Sequence, residues 1–120
     1  MIRGIRGAVD VERNDRNLIL QATQRLLLDI ASENQIKPED IVSIIFSTTR
    51  DINVEFPAGV LREIGWSYVP ALCTHEMDVP KGMKGVIRVL FHVETQKKQK
   101  DIKHRYLGKT VYLRPDLKGE

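Results

Sequence analysis

The chain has 120 residues, 42% of them hydrophobic, enough for one domain with a real core and too few for two. Its 19 Lys and Arg exceed its 16 Asp and Glu by only three charges, a balance suited to small anions and not to a polyanion such as nucleic acid. The single cysteine, Cys73, excludes an internal disulfide and any paired-cysteine metal site, and no apolar run approaches membrane-spanning length, so a cytoplasmic protein with no membrane partner is expected.

Residues 2–12 alternate, with Arg3, Ile5, Gly7, Val9 and Val11 on one face and Ile2, Gly4, Arg6, Ala8 and Asp10 on the other, the pattern of a strand with one largely apolar side. The glycines flanking Arg6 remove bulk and let a backbone or a ligand approach. Asn14 and Asp15 offer an N-cap, and Ile19, Ala22, Leu26 and Ile30 recur at helical spacing, with Leu18, Leu27 and Ala31 widening the stripe. This predicts a long amphipathic helix ending near Asn34. After the break at Lys37-Pro38-Glu39-Asp40, residues 41–48 are rich in β-branched side chains and almost continuously apolar, as expected of a central strand covered on both faces.

Residues 58–64 follow Phe56-Pro57 as a short helix carrying Arg62, with Gly65 to stop it. Residues 69–74 read as a strand running into His75-Glu76, and Lys81-Gly82-Met83-Lys84-Gly85 as a turn before a strand over residues 86–93. Residues 96–105 are polar and strongly basic, a mobile surface segment placed to act as a lid ahead of Tyr106, and residues 109–113 read as a last strand. About five strands with two or three interspersed helices, and neither repeat nor linker, make residues 1–120 a single mixed α/β domain whose sheet edge or open face needs a partner subunit.

Arg88 interrupts the apolar run of residues 86–93, and a guanidinium cannot shed its charge, so an anion or several acceptors must meet it. Alternation places Arg88, Leu90, His92 and Glu94 on one face and Ile87, Val89, Phe91 and Val93 on the core face. Two readings remain open: a structural ion pair with Glu76 or Glu94, or a contact to a bound anion or transition state. Cys73 and Glu76 lack an oriented histidine that would make a nucleophile of the thiol. His75, His92 and His104 lie in different elements without zinc-ligand spacing, and the lysine-rich stretch lacks the interleaved aromatics of an RNA site.

Taken together, Ile2-Arg3-Gly4-Ile5-Arg6-Gly7-Ala8, Phe56-Pro57-Ala58, Gly65-Trp66 with Tyr68-Val69-Pro70, Glu76-Met77-Asp78-Val79, Ile87-Arg88-Val89, His104-Arg105-Tyr106-Leu107 and the closing Leu113-Arg114-Pro115-Asp116-Leu117 form a pattern spanning nearly the whole chain. It resembles the monofunctional bacterial chorismate mutases of the trimeric pseudo-α/β-barrel type. The resemblance implies the Claisen rearrangement of chorismate to prephenate on the way to phenylalanine and tyrosine, with no cofactor and no metal. A unimolecular pericyclic reaction needs a folded substrate conformation and fixed charge against the breaking ether bond.

The same resemblance implies roles for individual residues. Arg88 meets the ether oxygen and a neighbouring carboxylate; Arg6, helped by Tyr106, holds a substrate carboxylate; Glu76 accepts a hydrogen bond from the ring hydroxyl. Cys73 and Thr74 line the same pocket. Phe56, Ala58 and Arg62 come from the neighbouring subunit of a homotrimer whose sites lie between subunits, and Leu113 with Arg114 covers the entrance. Gly59 stands where many relatives carry a larger side chain. The reading from a different class is a non-catalytic trimer that binds small carboxylates, which would have no use for a second cation opposite a hydroxyl-binding carboxylate.

Overall fold

The structure is a computed structural model that describes residues 1–113. Within them five strands form one sheet in the order β3-β2-β4-β1-β5. They are β1 (Ile2–Asp10), β2 (Ile41–Thr48), β3 (Ala71–His75), β4 (Val86–Glu94) and β5 (Arg105–Tyr106). β4 lies in the middle, antiparallel to both β1 and β2, while β3 and β5 run parallel to β2 and β1 at the two edges. The single mixed α/β domain with about five strands expected from the sequence is the fold observed.

The long helix α1 spans Arg16–Asn34. It starts where the Asp15 carboxylate accepts the Leu18 N–H at 3.0 Å, and ends where Gln35 turns left-handed at φ 53° and Ile36 N–H returns to the Ala31 carbonyl. Its buried stripe of Ile19, Ala22, Leu26, Leu27 and Ile30 packs on the sheet face formed by Ile5 and Val9 of β1, Ile44 and Phe46 of β2, and Ile87, Val89, Phe91 and Val93 of β4. Trp66 closes this core edge-on against Phe91, with ring centroids 6.3 Å apart. Gly7 lets the helix come close: a Cβ there would stand 2.7 Å from Ile30 Cδ1 and 2.9 Å from the Arg105 carbonyl oxygen.

Four expectations change. Among the described residues β2 is covered on one face only; Val42 and Ile45 remain exposed on the other side beside Leu72. Residues 109–113 form part of a 3₁₀ turn, Gly108–Leu113, instead of a strand. Gly108 takes φ +61° over Asp10, whose carboxylate accepts the Lys109 N–H at 2.8 Å, and Thr110 Oγ1 donates to the Ala8 carbonyl. These side-chain captures break the ladder that β-branched residues would otherwise extend. The basic segment is anchored at its end: the amide of buried Asn34 exchanges two hydrogen bonds with the Lys103 backbone, and Ile102 is buried. The predicted short helix resolves into a 3₁₀ turn, Pro57–Gly59, and α2, Val60–Glu63.

Candidate active site

β4 has the alternation its sequence implies, with every second residue from Ile87 to Val93 buried and Arg88, Leu90 and His92 on the open face. Register then assembles the neighbours of Arg88. Ala8 of β1 and Ser47 of β2 flank it directly. Ser47 stands opposite Thr74 of β3, so the chain leaving β3 delivers Glu76 to the same face.

Glu76 is the carboxylate that meets Arg88. Its Oε2 lies 3.4 Å from Arg88 Nε, and its Oε1 accepts a 2.6 Å hydrogen bond from the Ser47 hydroxyl. Glu94, the other candidate, pairs with the N-terminal ammonium at 3.2 Å. The Arg88 side chain keeps 30% of its surface accessible, yet its Nε is buried and without a hydrogen-bond partner among the described residues. A buried guanidinium N–H left unmatched is costly, and a ligand oxygen brought to it would recover that cost.

Arg6, Ile45, Ser47, Glu76, Arg88, Leu90 and Tyr106 line one cavity of about 240 Å³ on this open face. The Arg6 residue is exposed at its rim, its backbone N–H held by His104 Nδ1 at 2.9 Å. Tyr106 is buried with Ala8 and Val86, and Leu113 packs against that cluster. The site combines two cations, one carboxylate and a phenol around a volume of small-molecule size. It can bind a dianion in a fixed pose and set positive charge at a chosen oxygen.

Phe56, Cys73 and Thr74 line a different cavity of about 330 Å³, with Thr48, Ile52 and His75. Cys73 pairs with Phe46 in register and leans to the core side of β3, opposite to Glu76. Burial raises the pKa of the Cys73 thiol, a shift only partly opposed by a backbone hydrogen bond from Ala58. Phe56 is 70% exposed, and Arg62 is exposed on α2. The fold thus joins Arg6, Glu76, Arg88 and Tyr106 in one group and Phe56, Cys73 and Thr74 in another, with Ala58 beside Cys73, and among the described residues the two cavities stay separate. Arg114 lies outside the described residues.

Ser47 escaped the sequence reading. Its alternation with Ile44 and Phe46 puts it on the open face, but only the strand order makes it a neighbour of Arg88.

Among known proteins, residues 2–117 match the profile of the family described as chorismate mutase type I. The chain is 52% identical over 118 residues to chorismate mutase AroH of Bacillus subtilis (strain 168), covering 98% of this chain and 93% of that one. It is 43% identical to chorismate mutase AroH of Thermus thermophilus over 120 residues, 99% of this chain and 98% of the relative. A solved structure, chorismate mutase from Clostridium thermocellum, superposes with a TM-score of 0.90 at 42% identity, covering 91% of this chain and 97% of that chain.

Proposed function

This chain belongs to the chorismate mutase type I family and has that family's isomerase activity in aromatic amino acid biosynthesis, and we propose that it works by fixed charge alone, centred on Arg88. The observation that carries this reading is the buried, unmatched Nε of Arg88, a residue that lines the cavity, with the Glu76 carboxylate 3.4 Å away.

The substrate, chorismate, is a dianion whose ether oxygen gains negative charge as its bond to the ring breaks. Arg88 donates to that oxygen and to the carboxylate beside it, using the planar fork that a lysine lacks. Arg6 and Tyr106 hold the second carboxylate and so fix the chair-like fold in which the two ends of the molecule meet. Glu76, oriented by Ser47, accepts a hydrogen bond from the ring hydroxyl with its remaining lone pairs. No proton moves and no covalent intermediate forms, so the chemistry is that of preorganised charge in a site shielded from water.

The complete site forms between copies of the chain in a homotrimer. One copy supplies Arg6, Glu76, Arg88, Tyr106 and Leu113; a neighbour supplies Phe56, Ala58, Arg62, Cys73 and Thr74, with Phe56 on the substrate ring and Arg62 at the entrance. Two facts support this: Phe56, Cys73 and Thr74 line one cavity while Arg6, Glu76, Arg88 and Tyr106 line another, and Phe56 stands 70% exposed.

The test is direct. Purified protein without added metal should consume chorismate, followed by the loss of its diene absorbance, and form prephenate. Absence of turnover would refute the reading.

A further inference from the structure

Ser47 is placed as the cross-strand neighbour of Arg88 and as the hydrogen-bond donor to Glu76, and these two facts together give it a task. The 2.6 Å bond to Glu76 Oε1 is short, as expected of a hydroxyl donating to an ionised carboxylate. The other oxygen, Oε2, stands at 3.4 Å from Arg88 Nε, beyond the roughly 2.7–2.9 Å of a charge-assisted N–H···O bond. Glu76 lies just past the end of β3, at the start of the segment leading to β4, where its backbone N–H donates to the Thr48 carbonyl and its side chain keeps 30% of its surface accessible. An unrestrained carboxylate so close to a guanidinium would close on it and occupy its fork.

We propose that Ser47 is a positioning residue that holds the Glu76 carboxylate off Arg88, so that Arg88 keeps an unmatched N–H for the substrate oxygen. The proposal rests on the chorismate mutase reading and deepens it. Glu76 near Arg88 offsets the buried charge in the empty site, while Glu76 bonded to Arg88 would compete with the substrate. Ser47 sets which of these states the protein rests in. It touches neither the reacting atoms nor the ether oxygen; it acts through Glu76.

Two measurements test it. In the unliganded protein, the Arg88 Nε–H resonance, assigned by its loss in Arg88→Lys, should move downfield and exchange more slowly with water in Ser47→Ala, as Glu76 closes on it. Ser47→Thr, which keeps the hydroxyl, should leave it where the wild type has it. An unchanged resonance in Ser47→Ala overturns the proposal, whatever the activity. In turnover, Ser47→Ala should lower kcat/KM by about tenfold to a hundredfold, the value of a hydrogen bond to a charged group, and Ser47→Thr should restore it. In a Glu76→Gln background the same Ser47→Ala change should cost less than about twofold, because its route of action is gone. An equal loss in both backgrounds overturns the positioning role. A wild-type protein without turnover would sink the mutase reading instead, with the resonance still deciding the placement of Glu76.

Discussion

Arg88 and Arg105 are both largely withdrawn from solvent, yet they are built for opposite ends. Arg105 is closed off by Asp29, bonded through Nε and Nη2, with Glu33 at 3.9 Å. Arg88 has a carboxylate nearby and a buried N–H left open. Only the second can lend its charge to a ligand. Replacing Arg88 by Ala should therefore lower kcat by at least about 10³-fold, since removing even one oxyanion donor costs roughly 10²–10³, while the thermal midpoint falls little. Arg88→Lys should fail almost as badly, because a single ammonium cannot serve two oxygens in one plane; near-normal turnover in that variant would remove Arg88 from the ether oxygen. Cys73 gives a second residue-level prediction. Its raised pKa keeps the thiol protonated in mildly alkaline solution, so iodoacetamide should label it more slowly in the native protein than after denaturation. Equal rates would mean that the thiol is not shielded.

At the level of elements, the helix α1 and the sheet are joined at Gly7, where Leu26 and Ile30 lie over a bare backbone. A methyl group at this position meets a side-chain carbon and the Arg105 carbonyl at once, and the carbonyl, part of β5, cannot step aside. Gly7→Ala should cost about 1–3 kcal/mol by overpacking, read as a lower urea midpoint with an unchanged slope; an unchanged midpoint would mean that the helix rides freely over the strand. Alternation was enough to read which side of β4 carries Arg88, because period two is a local property of one strand. Helix α1 was equally legible from its stripe and cap. Residues 109–113 misled because Thr110, Val111 and Tyr112 have strand propensity, whereas what decides their path is Asp10, about a hundred residues earlier in the chain. The pairing of Ser47 with Arg88, and the separation of Cys73 from Glu76 into two cavities, depend on strand order, and no short window of sequence contains that information.

The whole molecule presents a sheet with one face sealed by α1 and the other bearing Val42, Ile45 and Leu72 in the open, Leu72 at 65% exposure. A face of this kind, with Leu90 beside Ile45 in register, suits burial against further copies of the chain. Ile45→Asp should leave the secondary structure intact by circular dichroism, reduce the mass in sedimentation to that of a single chain, and abolish turnover by parting the two halves of the site. A variant that stays assembled would place the interface elsewhere. None of the helices among the described residues is long and apolar enough to cross a membrane.

Strand β4 carries a further consequence in its position. It is paired along almost its whole length on both sides, to β1 from Val86 to Glu94 and to β2 from Ile87 to Val93. Its amides can exchange with deuterium only when the sheet itself comes apart, so they belong to the slowest class in the protein. Glu76, by contrast, sits beyond the end of a five-residue edge strand. On warming, the carboxylate side of the site loosens first, while the guanidinium stays fixed until the fold is lost. The anchor of the charge pair is therefore the arginine, and its counterpart is the part that thermal motion, or selection, can most easily retune.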